Sequence, residues 1–117
     1  MAFSITTREI SRVTILDCVG RLVFGDEALH LRERAKELLK TKKVLVLNLT
    51  GVSYIDSGGL GVLVGLLTTA RAGGGDLKLA SPNERSREVL AITHLTEVFE
   101  IHPSAEKAAE SAKHAAA

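Results

Sequence analysis

A carboxylate and a hydroxyl stand side by side at Asp56 and Ser57, at the start of a segment rich in glycine. Glycines follow at positions 58, 59, 61 and 65, and each costs a helix up to about 1 kcal/mol relative to alanine. Helix propensity alone therefore does not explain them. A structural interpretation is that Asp56 or Ser57 caps a helix while the glycines allow that helix to lie close to a sheet.

The same segment also has the properties of a phosphorylation site. Glycines in the first helical turn leave the Ser57 hydroxyl open to another protein, and a helix N-terminus offers unpaired amides and the positive end of the helix dipole. A phosphate would add about −1.5 to −2 charges beside Asp56 and would change any interface centred there. The pattern thus predicts a switch at Ser57 in addition to the structural role of the glycines.

Other kinds of site have little support in the sequence. Ser57 lacks the preceding glycine of a nucleophile elbow, and the glycine spacing fits neither a dinucleotide fingerprint nor a phosphate loop with its lysine. Cys18 lies in a predicted strand and is interpreted as a small buried hydrophobe. We therefore expect no enzymatic activity, no cofactor and no metal. No metal is expected because the four histidines have no cysteine or carboxylate at the spacing of a metal site; they are His30, His94, His102 and His114.

Composition narrows the class of protein. The length of 117 residues, with 45% apolar and 25% charged residues, predicts one folded domain. A net charge of +1 and an aromatic content of 3% argue against nucleic-acid binding. The longest apolar stretch, residues 60–70, is shorter than the roughly 20 residues that span a bilayer, so no membrane span is expected. The single cysteine and the lack of a signal-peptide pattern favour the cytoplasm.

The elements that must position Ser57 alternate between strands and helices. Two short runs rich in Ile, Val and Thr, residues 3–7 and 13–19, predict a hairpin. Asp26 is predicted to cap a helix whose apolar stripe ends near Leu39. The continuous apolar run at residues 44–49 predicts a central strand that is buried on both faces.

Residues 57–72 are nearly all apolar or small and predict a heavily buried helix, which the glycines at positions 73–75 end. Residues 77–80 are the next predicted strand. Ser81 is predicted to cap a third helix that continues to about Ile92. Residues 98–101 are predicted to form a last short strand. The Ala-rich tail at residues 104–117 is predicted to be a helix that has little apolar surface to bury. This alternation implies an α/β fold with a mixed sheet of four to five strands.

The segment from Asn48 to Gly61 resembles the phosphorylation-site strand, loop and helix of the anti-sigma factor antagonists, small bacterial proteins made of one STAS domain. Residues 70–74, 77–79 and 89–100 support the resemblance, which extends to about Ile101. It implies a single STAS-like domain over residues 1–103 with helices packed mainly on one face of the sheet.

In such proteins, an anti-sigma factor with serine kinase activity phosphorylates the serine after the aspartate, and a serine phosphatase removes the phosphate. The unmodified form binds the anti-sigma factor and frees the sigma factor, which regulates transcription. The resemblance implies that Ser57 is the phosphoacceptor and that Asp56 orients it or caps the helix. Gly58 departs from the pattern, because many relatives have a second small hydroxyl residue there. The implied partner-binding residues are Asp56, Ser57, Gly58, Gly59, Leu60 and Gly61.

Two other functions remain open at this point. The chain is alternatively a constitutive structural subunit of a membrane transporter assembly, never phosphorylated. A third interpretation is a sensor that holds an anion or nucleotide at the helix start after Asp56. For the anti-sigma factor antagonist we expect a monomer or a weak dimer. The glycine run at positions 73–75 has no functional explanation.

Overall fold

The computed structural model describes residues 3–116, with side chains through residue 112, and the tail residue Ala117 and the side chain of His114 lie outside this range. Five strands form one sheet in the order β1-β2-β3-β4-β5, in which β1 and β2 are antiparallel and the other pairs are parallel. Within the described range, no helix is long and apolar enough to cross a membrane. The elements are β1 (Ser4–Ile10), β2 (Val13–Leu22), α1 (Asp26–Leu39), β3 (Val44–Ile55), α2 (Ser57–Ala72), β4 (Asp76–Ala80), α3 (Glu84–Ile92), a 3-10 helix (Leu95–Glu97), β5 (Ile101–His102) and α4 (Ala105–Ala116).

The predicted N-terminal hairpin is confirmed, with longer strands than predicted. Ser11 and Arg12 form its two-residue turn, and both have the positive φ angles that such a turn requires. β1 continues through polar residues up to this turn because β1 is an edge strand with one solvent-exposed face. Across the hairpin, the Arg8 guanidinium donates to the Asp17 carboxylate over 2.6 Å and lowers its pKa.

The central position of β3 is also confirmed. Leu45, Val46 and Leu47 are all fully buried, so consecutive side chains on both faces of this strand are covered. Leu45 and Leu47 join the main core with α1 and α2, whereas Val46 packs in a second cluster with alanines of α4. β3 runs beyond the predicted end at Leu49 because its pairing with β2 continues to Ile55 through two register shifts.

The C-terminal helix corrects one expectation. The sequence predicts a tail at residues 104–117 with little to bury, yet the alanine face of α4 covers the second face of the sheet. Small side chains suffice because they let the helix axis approach the strands closely. The other three helices contribute to the main core, so the prediction of helices mainly on one face is confirmed. The alanines of α4 that are at most 4% exposed are Ala105, Ala108, Ala109 and Ala112.

Two predicted helix caps are wrong. Asp26 is the first residue of α1, and the capping position belongs to Gly25, which has a positive φ and no side chain to accept a bond. Asn83, not Ser81, caps α3, since its side chain accepts from the Ser86 amide over 2.8 Å. Ser81 instead leaves β4 with a φ of 55° and donates its hydroxyl to the Pro103 carbonyl.

The last predicted strand, residues 98–101, is also wrong in its bounds. Phe99 donates its amide to the Leu95 carbonyl and is buried, so this segment closes the 3-10 helix. Pairing with β4 begins only at Ile101, opposite Leu79, and ends at His102.

A charged cluster lies between α4 and the sheet. Lys78 of β4 is 2% exposed, and its ammonium lies 2.7 Å from the Glu100 carboxylate and 3.6 Å from that of Asp76. Glu100 also accepts from the Ser111 hydroxyl of α4 and lies 2.7 Å from the His102 ring. The Lys78 hydrogen bond, followed by that of Ser111, lowers the pKa of Glu100 to about 2. This cluster neutralises the buried ammonium and connects α4 to the sheet.

The lowered pKa of Glu100 predicts a pH effect on stability. The ionised carboxylate favours the folded state, so its contribution is complete above its ordinary pKa of 4.5 and is lost as the pH falls towards about 2. Glu100→Gln is expected to lower the free energy of unfolding at pH 7 and to flatten its decline between about pH 5 and pH 2. Urea titrations followed by circular dichroism measure both effects. The control Glu97→Gln removes an exposed carboxylate, and an identical pH profile for the two variants would contradict the prediction.

Candidate functional site

Asp56 connects the end of β2 to the start of α2. Its carboxylate accepts from the Gly59 amide over 2.9 Å and from the Phe24 amide over 3.0 and 3.1 Å. Its own amide donates to the Leu22 carbonyl. The hydrogen bonds from the Gly59 and Phe24 amides, of which that from Gly59 has the larger effect, hold the pKa of Asp56 below its ordinary value. Of the two predicted caps of this helix, Asp56 is therefore the one that the structure uses, and α2 has the predicted bounds.

Ser57 is the first residue of α2 and is exposed. No hydrogen bond to its hydroxyl is found within the described part of the chain. The neighbouring carboxylate of Asp56 is directed to backbone amides, so Asp56 acts here as a helix cap. The arrangement presents an accessible hydroxyl on a fixed backbone, at the positive end of a helix dipole.

The first two glycines of α2 are required by packing. A Cβ atom at position 58 would lie 2.6 Å from the Cβ of Phe24, and one at position 59 would overlap the carbonyl oxygen of Leu22. The structural interpretation of the glycines therefore holds for Gly58 and Gly59. It also explains why this chain has no second hydroxyl residue at position 58, because the Phe24 backbone occupies that space.

The next two glycines have no such role. A Cβ atom at Gly61 or Gly65 would meet nothing within 4 Å. Gly61 is exposed, whereas Leu60 is half-buried and packs partly against the main core. Of the six predicted partner-binding residues, Ser57 and Gly61 are thus the most accessible.

Phe24 is the functional candidate that the sequence analysis missed. Its side chain is 81% exposed although it is large and apolar, and it lies directly beside Gly58. No sequence pattern indicated this, because the segment between β2 and α1 has no periodicity. On the other side of the site, Arg85 stacks on the Tyr54 ring at 4.8 Å, and the Asn83 amide donates to the Val52 carbonyl.

The remaining reactive side chains lie away from the site. Cys18 is buried, and burial raises its pKa to about 12. His94 pairs with Glu97 and His102 with Glu100, whereas His30 contacts the Phe3 ring. Across the residues that the structure describes, no group of three or more His, Cys, Asp or Glu could hold a metal ion.

Comparison with known proteins identifies relatives along most of the chain. A model of the STAS domain family matches residues 4–108. The chain is 38% identical over 76 residues to the anti-sigma-B factor antagonist of Bacillus subtilis, which covers 65% of this chain and 70% of that protein. It is 41% identical over 66 residues to a candidate anti-sigma factor antagonist of Thermotoga neapolitana, which covers 56% of this chain and 58% of that protein. The chain thus spans about three fifths of the Thermotoga relatives that it matches.

Solved structures have the same fold. The crystal structure of a candidate anti-sigma factor antagonist from Thermotoga maritima superposes with a TM-score of 0.86 at 29% identity, covering 93% of this chain and 94% of that one. The anti-sigma factor antagonist SpoIIAA in its unphosphorylated form gives a TM-score of 0.81 at 18% identity, covering 95% and 97%. Bacillus SpoIIAA has also been solved in its phosphorylated form. The predicted single α/β domain with a mixed sheet is confirmed.

The contrast between the glycines predicts opposite effects of one substitution. Gly59→Ala is expected to lower the free energy of unfolding by about 1–3 kcal/mol, because the added methyl group overlaps a backbone carbonyl that cannot rotate away. Gly61→Ala is expected to raise it by up to about 1 kcal/mol, since the methyl group meets nothing and alanine favours the helix. Urea unfolding of the two variants measures the difference. Equal effects would show that packing does not distinguish the two positions.

Proposed function

The chain belongs to the STAS domain family of anti-sigma factor antagonists, and from this premise we propose that it is a binding protein controlled by phosphorylation of Ser57. The unphosphorylated form binds an anti-sigma factor that is also a serine kinase, and the phosphorylated form releases it. A serine phosphatase restores the binding form. The observation that carries the proposal is the accessible Ser57 hydroxyl at the capped start of α2.

Electrostatics supports phosphorylation as the switch. A phosphate on Ser57 would bring about −1.5 to −2 charges next to the carboxylate of Asp56, whose low pKa keeps it ionised at neutral pH. The dipole of α2 makes a phosphate tolerable at this position, so the fold persists. A partner that docks on the neutral hydroxyl would then meet two adjacent anionic groups. In this proposal, phosphorylation changes the charge of the surface around Ser57, while the Asp56 carboxylate keeps its hydrogen bonds to the backbone amides of Phe24 and Gly59.

The flanking residues support the same proposal. The exposed Ser57 and Gly61 form the centre of the docking surface, and the half-buried Asp56, Gly58 and Leu60 border it. Gly59 is buried and contributes by letting the first turn of α2 lie against the Leu22 carbonyl. Phe24 extends this surface, as it is exposed and lies against Gly58. SpoIIAA, which has this fold, is known in unphosphorylated and phosphorylated forms.

In this proposal the chain is a substrate and a ligand, and it is not an enzyme. Phosphoryl transfer needs a nucleotide site, metal ions and a group that orients the nucleophile. We propose that the kinase partner supplies all of these and that Ser57 supplies only the acceptor oxygen. The pathway operates in the bacterial cytoplasm and ends in the release of a sigma factor.

Substitution of Ser57 tests the switch. Ser57→Ala is expected to retain binding to the anti-sigma factor kinase of the host and to take up no phosphate. Ser57→Asp is expected to weaken binding at least ten-fold, because a fixed negative charge replaces the hydroxyl. Intact-mass and peptide mass spectrometry, with and without phosphatase, measures the phosphate, and titration calorimetry measures binding.

Ser53→Ala is the matched control, since Ser53 is an exposed serine on the strand that leads to the site. This variant should carry the same single removable phosphate as the wild-type chain. Phosphate uptake by Ser57→Ala would show that the acceptor is wrong. A Ser57 that stays unmodified under all growth conditions would instead favour a constitutive subunit.

A further inference from the structure

An apolar groove of about 640 Å³ runs between α1 and α2, and its lining on α2 begins at Gly58, the residue after Ser57. Ala28 and Leu29 line it from α1, and Val62 and Leu66 line it from α2. Leu29 is 46% exposed, and Phe24 closes the end that is next to the phosphoacceptor. The groove is therefore continuous with the proposed docking surface.

The groove has the dimensions of a short helix. α1 and α2 each connect two parallel strands of the same sheet, so they run in the same direction and border the groove on both sides. The lining on α2 extends from Gly58 to Thr69, which at the helical rise per residue is a length of about 16 Å. This length accommodates a helix of about three turns.

The open glycines of α2 keep this groove accessible. Gly61 and Gly65 both line it and lie one helical turn apart. Since a Cβ atom at either position would meet nothing within 4 Å, contacts inside the chain do not require these glycines. A helix lying in the groove could approach the backbone of α2 closely at these two positions.

Charge indicates the chemistry of the occupant. Arg32 and Lys36 line the groove four residues apart on α1. Within the described part of the chain, the ion pairs involve other basic residues and not these two. Asp26 is the acidic residue of the lining, and it lies at the end near Phe24. The two unpaired cations therefore favour an occupant with acidic residues beside its apolar face.

We propose that this groove binds an amphipathic helix of about three turns with acidic residues along one border, supplied by the anti-sigma factor partner. The apolar face of that helix fills the space above Gly61 and Gly65, and its carboxylates pair with Arg32 and Lys36. This is the helix-in-groove mode of peptide recognition. The inference rests on the proposed function for the identity of the partner, but the groove itself is testable without it.

The test uses two synthetic helical peptides of about three turns with the same leucine stripe, one flanked by glutamates and the other by lysines. Each is titrated into the isotope-labelled full chain, and amide signals are followed by NMR. The glutamate peptide is expected to shift the signals of Leu29, Gly61 and Gly65 and to bind at least ten-fold more tightly than the lysine peptide. Equal binding, or shifts outside the groove, would overturn the proposal.

Variants locate the binding. Gly65→Leu is expected to reduce glutamate-peptide binding at least ten-fold while the thermal midpoint stays at or above that of the wild type, because the new side chain enters open space. Ala72→Leu places the same side chain at an exposed end of α2 and should bind normally. The double variant Arg32→Glu with Lys36→Glu should prefer the lysine peptide, and Arg87→Glu on α3 is its charge control.

The outcomes separate the two proposals. Binding of the glutamate peptide in the groove of a chain whose Ser57 is never phosphorylated would contradict the proposed function and support the groove. A phosphorylated Ser57 in a chain that does not bind the glutamate peptide would support the proposed function and contradict the groove as a helix-binding site. Laurate, a fatty acid, tests whether a small amphipathic molecule fills the groove instead. If laurate shifts the NMR signals of Gly61 and Gly65 and the glutamate peptide does not bind, the proposal that a helix occupies the groove is overturned.

Discussion

The Asp56 carboxylate is the point at which the site is held together. It binds the amides of Phe24 and Gly59, so one side chain fixes the end of β2, the start of α2 and the distance between them. Gly58 and Gly59 can be no larger because this bond brings the helix against the strand end. The position of Ser57, the exposure of Phe24 and the mouth of the groove all follow from that contact. A small domain thereby presents the exposed Ser57 hydroxyl on a backbone that this contact fixes.

Much of this arrangement could be predicted from the sequence, since local signals mark both ends of α2. Asp56 is a strong helix cap and Gly73 a helix terminator, and the bounds they predict are the observed ones. The choice between Ser81 and Asn83 as a cap could not be predicted, because it depends on the direction in which the chain leaves β4. The exposure of Phe24 likewise depends on where two distant segments meet, and no periodicity within either segment encodes it.

The two faces of the sheet are built by different means. The face toward α1 and α2 is covered by large aliphatic side chains, whereas α4 covers the other with alanines and a buried ion pair. A tail with low hydropathy can therefore complete a core when its backbone approaches closely. Lys78 sets the position of this helix, because its ammonium requires the Glu100 carboxylate, which Ser111 also binds. Ser57, at the start of α2, and the charged cluster of Lys78 and Glu100 under α4 therefore belong to opposite faces of the sheet.

The contact between Gly58 and the backbone of Phe24 constrains how this site can diverge. A side chain at position 58 fits only if the segment around position 24 moves outward. Such a movement weakens the hydrogen bond from the Phe24 amide to the Asp56 carboxylate. Positions 24, 56 and 58 are therefore expected to vary together among homologous chains, as one evolutionary unit. A lineage that gains a hydroxyl side chain at position 58, beside Ser57, must rebuild the loop after β2 at the same time.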